Sequence, residues 1–158
     1  MSSRDTQGAA VGSALIDPAR QAMLLAALYI AQERNGYLTP EAIKRTARRL
    51  GLDPGSVYSI ASFYTLFRTE PVGRYIIQVC DGLSCYLRGG ADTVADYISS
   101  KLNIQPGETT PDGAFSLEKV QCLASCGTAP AMRVNDQLYE NLTPQTIDAV
   151  LERLMGEM

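Results

Sequence analysis

The chain of 158 residues is long enough for one domain or two small ones, and its 46% hydrophobic and 20% charged residues are ordinary for a globular protein. Its formal net charge of −3 argues against a nucleic-acid-binding protein, which usually carries a basic face. Because the chain contains no histidine, mixed Cys/His zinc sites, Rieske-type ligation and histidine acid–base catalysis are excluded.

Neither a membrane span nor a secretion signal is expected. The longest apolar stretch, residues 22–31, falls well short of the ~20 residues that cross a bilayer. The apolar segment 9–16 is interrupted by Gly12 and Ser13, whereas a signal peptide needs a longer and purer apolar core. Without export, the cysteines are expected to be reduced.

Residues 1–16 have no periodicity and predict a mobile tail, and residues 17–70 predict a small helical bundle. Each helix is expected to begin where a capping side chain precedes a proline, at Asp17-Pro18, Thr39-Pro40 and Asp53-Pro54. Asn35-Gly36 and Gly51 are the predicted ends of the first two helices.

Apolar residues recur at helical spacing in all three helices. The first helix has two adjacent rows that predict one broad buried face: Met23, Ala27 and Ile30, and Leu24, Leu28 and Ala31. The rows of the other two are Ile43, Ala47 and Leu50, and Val57, Ile60, Ala61 and Tyr64. Phe63, Tyr64 and Phe67 are interpreted as core, with a contact surface for another protein chain as the alternative.

Residues 71–158 predict an α/β domain. Strands are expected at 75–79 and 115–121, the second with a possible bulge near Glu118, and a hairpin is expected around Asn135-Asp136. Helices are expected at 92–102 and after Thr143-Pro144, the last with Ile147, Val150, Leu151 and Leu154 as its buried row. The resulting order, β-α-β-β-α, is that of a thioredoxin-like fold.

All four cysteines lie in two short loops, each directly after a predicted strand. Cys80 and Cys85 form a C-x4-C motif, and Cys122 and Cys126 form a C-x3-C motif. Two strand ends could bring these four thiolates to one place, which indicates a metal site. These four residues are therefore the candidate metal and cofactor ligands, and no catalytic residue is assigned.

The spacing of the cysteines can be compared with the spacing typical of four kinds of cysteine site. Four-cysteine zinc sites are commonly built from C-x2-C pairs, and a thioredoxin-type redox pair also needs C-x-x-C, which this chain lacks. Disulfides are disfavoured in a reducing compartment. A [2Fe–2S] cluster accepts four thiolates, although the spacing does not match a plant-type ferredoxin. Zinc remains possible at this point.

The neighbours of the cysteines suit a cluster. Backbone N–H groups near Gly82, Ser84 and Gly127 could donate to sulfur, and such bonds tune a cluster's potential. Arg88 would favour the reduced form if it lies close, and Asp81 would oppose it. A surface position for Arg88 is an equally good interpretation.

Several motifs resemble one known family over residues 21–154. They are the C-x4-C followed by Arg88-Gly89-Gly90, the run from Cys122 to Pro130, Asn35-Gly36-Tyr37-Leu38, Ala61-Ser62-Phe63-Tyr64, and the runs 106–113 and 134–144. They are similar to the thioredoxin-like [2Fe–2S] subunit of NADH:quinone oxidoreductase, which is respiratory complex I. Two departures are Ala124, where relatives often carry glycine, and Asp81-Gly82.

The resemblance implies an electron-transfer subunit of an NADH dehydrogenase that is not catalytic alone. It implies that Cys80, Cys85, Cys122 and Cys126 hold one [2Fe–2S] cluster, and that the fold is a helical N-terminal domain followed by a thioredoxin-like domain. In such complexes this subunit lies beside the flavin- and NADH-binding subunit, and its cluster exchanges one electron with the flavin. The chain has no G-x-G-x-x-G fingerprint, so NADH and flavin are expected on that partner.

The expected partners are this flavoprotein and other iron–sulfur subunits, in the cytoplasmic, peripheral arm of a membrane-bound complex, with no direct membrane span and no nucleic acid. Within the same family, the alternative is the equivalent subunit of an NAD-reducing hydrogenase or an NAD-dependent formate dehydrogenase. From other classes, the alternatives are a zinc-stabilised interaction module and a stand-alone ferredoxin-like carrier.

Overall fold

The computed structural model describes residues 18–89 and 91–158. The predicted tail, 1–16, and the predicted cap Asp17 lie outside the described residues. The chain divides into two compact units, with Pro71 ending the first and Val72 beginning the second. Whether 17–70 and 71–158 are independent domains stays a prediction.

The first unit contains three helices: α1 (Pro18–Asn35), α2 (Pro40–Leu50) and α3 (Pro54–Phe63). Two of the predicted caps are present. The Thr39 hydroxyl accepts a hydrogen bond from the N–H of Ala42 at 3.1 Å, and the Asp53 carboxylate accepts one from the N–H of Ser56 at 2.9 Å. Gly51 ends α2 in the left-handed conformation, with φ of 64°, which glycine adopts without steric cost.

The buried face of α1 is narrower than predicted. Leu24, Leu28 and Ala31 are buried in the core of this unit, together with residues of α2, α3 and their connections: Leu38, Ala42, Ile43, Ala47, Val57, Ala61 and Phe67. Met23 and Ile30 are 59% and 53% exposed, so most of the predicted row Met23, Ala27 and Ile30 faces solvent. A single row of α1 therefore supplies its share of the core that also contains Ala42 and Ala47 of α2.

The aromatic residues at the end of α3 are only partly core. Phe67 is buried, but Tyr64 is 39% and Phe63 is 79% exposed, so the prediction that all three are buried is wrong for Phe63. The rings still meet edge to face, with centroids 5.3 Å apart for Phe63 and Tyr64 and 6.3 Å apart for Tyr64 and Phe67. The helix ends at Phe63 and the chain turns extended at Tyr64, which takes the rings off the helical spacing.

The second unit is a four-stranded sheet with helices. Its elements in chain order are β1 (Tyr75–Cys80), α4 (Leu83–Leu87), α5 (Ala91–Leu102), β2 (Phe115–Val120), a 3₁₀ turn (Cys126–Thr128), β3 (Met132–Val134), β4 (Gln137–Tyr139) and α6 (Pro144–Gly156). The strand order is β2-β1-β3-β4. β1 and β2 are parallel, and the other two pairings are antiparallel. The predicted β-α-β-β-α order is confirmed, with α4 added inside the first cysteine loop.

The strand β2 contains no bulge. Its pairing with β1 runs without interruption from Tyr75 opposite Phe115 to Cys80 opposite Val120, so the expected irregularity near Glu118 is wrong. The alternation of β2 is blurred because Ser116 is buried. The Ser116 hydroxyl accepts a hydrogen bond from the N–H of Gly73 at 2.7 Å, which satisfies a polar group inside the fold.

One face of the sheet packs with α5 and α6. The core there joins strand residues such as Ile77, Val79 and Leu117 with Ile98 of α5 and the predicted row of α6, whose four members are all buried: Ile147, Val150, Leu151 and Leu154. Thr143 caps α6 as predicted, within a capping box. The cysteines Cys80 and Cys85 belong to a separate apolar cluster with Ala129 and Ala131.

The sheet topology gathers several chain segments at one edge. β1 and β2 are parallel, so Cys80 and the segment after Val120 leave the sheet side by side. β3 is antiparallel to β1 and begins where β1 ends, with Met132 opposite Val79. β4 ends opposite the same Met132, so residue 140 emerges there too. Both cysteine loops and the chain after β4 therefore meet at this edge.

Candidate functional site

The first cysteine loop is built into the fold by packing. Cys80 is the last residue of β1 and is 4% exposed, and its N–H donates to the carbonyl of Ala131 at 3.1 Å. Gly82 then caps α4, and Cys85 lies in that helix at 2% exposure. An irregular loop is what the sequence predicts here, but a short helix carries the second thiol. Helical winding turns Cys85 inward while Leu83, Tyr86 and Leu87 stay exposed.

Burial and neighbouring groups shift the pKa of the Cys85 thiol. Burial raises the pKa of the Cys85 thiol most, the hydrogen bond with Cys80 raises it further, and the backbone N–H of Ala131 lowers it. Charge on Cys80 or Cys126 also raises the pKa of Cys85. Cys85 therefore lies against Cys80 and within electrostatic reach of Cys126.

The second cysteine loop lies at the surface. Cys122 follows β2 by two residues and is exposed, as is Cys126 at the start of the 3₁₀ turn. The backbone N–H of Ala124 donates to the sulfur of Cys122, with 3.2 Å between nitrogen and sulfur. Ala124 has φ of 58°, the left-handed conformation that strains an alanine.

A carboxylate from the end of β4 holds this loop. Glu140 accepts hydrogen bonds from the hydroxyls of Ser125 and Thr128, and Ser125 is itself buried. These two hydrogen bonds lower the pKa of Glu140, in the order Ser125 and then Thr128. Glu140 has no role predicted from the sequence, because its contact is with residues 12 and 15 positions earlier.

The four cysteines match a [2Fe–2S] cluster in the number and kind of their side chains. All four cysteines are in the described part of the chain and are free thiols. Among the described residues, no group of three or more cysteine or carboxylate side chains is placed to hold a single metal ion. A [2Fe–2S] cluster takes four thiolates shared between its two irons, which is the number that these cysteines supply.

The space beside the sulfurs is lined by small residues. An added Cβ at Gly82 would come 3.4 Å from the Cys80 sulfur and 3.3 Å from the carbonyl oxygen of Gln121. Ala129 and Ala131 are buried against Cys80 and Cys85. Backbone N–H groups of Ala124 and Ala131 point at cysteine sulfurs, as expected where thiolates carry negative charge. These features suit an anionic inorganic group.

The flanking residues named from the sequence lie at the surface. Asp81 and Arg88 are both exposed, and Arg88 ends α4. Gly89 has φ of 105° and turns the chain toward α5, while Gly90 lies outside the described residues. A surface side chain is therefore the better interpretation of Arg88 in this structure.

Comparison with known families covers almost the whole chain. The family model of the thioredoxin-like [2Fe–2S] ferredoxins matches residues 14–155. The chain belongs to this family. Its cofactor is therefore a [2Fe–2S] cluster, and the zinc-stabilised module left open by the sequence is set aside. The expected fold class, helices followed by a thioredoxin-like ferredoxin domain, is confirmed.

Curated relatives of this thioredoxin-like ferredoxin are subunits of an oxidoreductase. It is 44% identical over 135 residues to an NADH-quinone oxidoreductase subunit of Rhizobium meliloti, covering 85% of this chain and 80% of that one. It is also 44% identical over 136 residues to NADH-quinone oxidoreductase subunit 2 of Thermus thermophilus, covering 85% and 75%. The resemblance stated from the sequence is confirmed.

A solved structure of another NAD-linked enzyme is also similar. An NAD+-reducing [NiFe]-hydrogenase matches with TM-scores of 0.74 in its air-oxidised state and 0.75 in its H2-reduced state, at 26% identity. The match covers 84% of this ferredoxin but 23% of that hydrogenase chain. In the described part of the ferredoxin, no helix has the length and apolar composition to cross a membrane.

Proposed function

We propose that this ferredoxin is the electron-transfer subunit of an NADH:quinone oxidoreductase and that Cys80, Cys85, Cys122 and Cys126 hold its [2Fe–2S] cluster. The observation that carries the ligand set is the meeting of both cysteine loops at one sheet edge, with Cys85 against Cys80 and near Cys126. The 44% identity to two named subunits of that complex carries the assignment to a quinone-linked enzyme.

The residues around the sulfurs have different roles in the proposed site. When bound, the cluster supplies the capacity to take up and release one electron. Cys80 and Cys85 are buried and would shield a cluster from water, whereas Cys122 and Cys126 are exposed and would leave it accessible to an electron donor. The N–H groups of Ala124 and Ala131 stabilise negative charge on sulfur, which favours the reduced form.

The electron donor in this proposal is the flavin of a partner NADH-oxidising subunit. The chain has no G-x-G-x-x-G motif that would hold a dinucleotide itself. The complex would include other iron–sulfur subunits and would place this chain in its cytoplasmic, peripheral arm. The names of the relatives as subunits support an assembly of this kind.

The ligand set is tested by replacing each cysteine with serine in the full chain, reconstituting with iron and sulfide, and recording visible and reduced-state EPR spectra. Wild type is expected to hold two irons and two sulfides per chain, as the cluster's composition requires, and to give a paramagnetic reduced state. Each serine variant is expected to lose or alter that spectrum. An unaltered spectrum in any one variant removes that residue from the ligand set.

A second candidate is the equivalent subunit of an NAD-reducing hydrogenase, which the structural match favours. The two are separated by purifying the tagged chain with its natural partners. An assembly that contains flavin and reduces quinone with NADH supports the first candidate. An assembly that contains nickel and reduces NAD+ with hydrogen supports the second.

A further inference from the structure

The turn that carries Cys126 has an exposed tip. Cys126 and Gly127 are exposed, and a Cβ added at Gly127 would meet nothing within 4 Å. On either side of this pair, the hydroxyl oxygens of Ser125 and Thr128 lie 2.7 Å apart, and the N–H of Thr128 donates to the carbonyl of Ser125 at 3.2 Å. Hydrogen bonds therefore help to hold the turn at its two ends.

Glu140, which lies more than ten residues later in the sequence, binds both ends of this turn. One carboxylate oxygen, Oε1, accepts from the Thr128 hydroxyl at 2.5 Å and also from the Ser125 hydroxyl. The next two residues run alongside the same segment, because the N–H of Asn141 donates to the carbonyl of Thr128 at 2.7 Å and that of Leu142 donates to the carbonyl of Pro130 at 3.1 Å. The chain after β4 thus bonds the turn at several points.

The carboxylate has two separable effects. Hydrogen bonds to an ionised acceptor are roughly twice as strong as bonds between neutral groups, so Glu140 holds the turn more firmly than an amide would. Its negative charge also lies one hydrogen bond away from the residues that flank the Cys126-Gly127 pair. A negative charge beside an anionic cluster opposes the arrival of another electron.

We propose that Glu140 is a positioning residue of the iron–sulfur site: its carboxylate fixes the turn that carries Cys126, and its charge lowers the reduction potential of the bound cluster. This inference rests on the proposed function, because it takes Cys126 as a ligand. It adds a residue that lies outside the four-cysteine motif.

The test compares three variants of the full chain, each reconstituted with iron and sulfide. Glu140→Gln removes the charge but keeps one side-chain oxygen that can accept from both hydroxyls. Glu140→Ala removes the charge and the accepting oxygen together. Glu152→Gln is the matched control, because it removes one exposed carboxylate from α6. The readouts are the rate at which a chelator bleaches the visible absorption and the midpoint potential from an EPR-monitored redox titration.

Glu140→Ala is expected to lose its cluster to the chelator several-fold faster than wild type. Glu140→Gln is expected to keep its cluster but to shift the midpoint potential upward, raising the equilibrium constant for reduction by about two- to fivefold, as one charge does over roughly 10 Å in a partly solvated medium. Far-UV circular dichroism checks that each variant folds, and Glu140→Gln preserves the test if Glu140→Ala does not.

Two results would overturn the inference. A bleaching rate for folded Glu140→Ala equal to that of wild type would refute the positioning role. A midpoint potential for Glu140→Gln equal to that of Glu152→Gln would refute the electrostatic role. Cys126→Ser separates these failures from failure of the proposed function, since an intact normal cluster in that variant would remove Cys126 from the ligand set.

Discussion

Cys80 and Cys85 of the first loop are 4% and 2% exposed, whereas Cys122 and Cys126 of the second loop lie at the surface. The first pair is carried by a strand and a short helix and packs against alanines. The second pair lies on irregular chain between β2 and β3, where hydrogen bonds to Glu140 and an N–H bond to the Cys122 sulfur maintain its shape.

The two loops of one cofactor site are therefore maintained by different interactions, side-chain packing in the first and hydrogen bonds in the second. A packed loop responds to changes of side-chain volume, because interiors are close to crystalline density. A hydrogen-bonded surface loop tolerates added volume and responds to changes of polarity, charge or backbone strain. Substitutions in each loop should separate these two responses, and the largest effect is expected in the packed one.

Ala131→Leu is expected to have the largest effect, because residue 131 is fully buried against Cys80 and Cys85. Overpacking of this kind costs about 1–3 kcal/mol and would displace both thiols of the first loop. Lower midpoints in urea unfolding, followed by circular dichroism, and reduced iron incorporation are the expected results. An unchanged midpoint would show that the first loop is looser than its burial indicates.

Ala124→Gly is expected to stabilise the second loop by up to about 1 kcal/mol. Relief of the left-handed strain at φ of 58° is partly offset by the greater freedom of glycine in the unfolded chain. The N–H that donates to the Cys122 sulfur is retained. The measurement is the urea midpoint together with the rate of cluster loss to a chelator, and a lower midpoint would contradict the expected strain.

Gly127→Ala adds volume at the surface, whereas Ala131→Leu adds it in the core. Gly127→Ala is expected to change the free energy of unfolding by no more than about 0.5 kcal/mol. The added Cβ points into open space, and the backbone at Gly127 is not in the left-handed region. Iron incorporation and the urea midpoint should match wild type. A large loss of iron would mean that the exposed side of the second loop is needed by the cluster itself.

The smallest expected effect is a change in pH dependence. Folding holds the pKa of Glu140 below its usual value of 4.5, so its contribution to stability is present above that value and is lost as pH falls through the folded pKa. The wild-type chain without iron should therefore lose stability more steeply than Glu140→Gln as the pH falls below about 4.5. Parallel pH profiles of the urea midpoint would contradict this linkage.

The local signals in the sequence predicted much of the fold. Thr39, Asp53 and Thr143 cap helices as expected, since a capping side chain acts on residues two or three positions away. The strands and the hairpin after the second cysteine loop follow from short-range patterning. Met23, Ile30 and Phe63 were expected in the core but lie exposed, because spacing along a helix does not reveal how wide its partner's surface is.

The four thiols, their two spacings and the strands that precede them can be recognised from neighbouring residues alone. The burial of one pair, the exposure of the other and the hydrogen bonds from the second loop to Glu140 depend instead on how the chain folds. The reason is the sheet order β2-β1-β3-β4, which brings the end of β4 to the edge where β1 and β2 end. Glu140 and the second cysteine loop are far apart in the sequence, so no local sequence pattern predicts their contact.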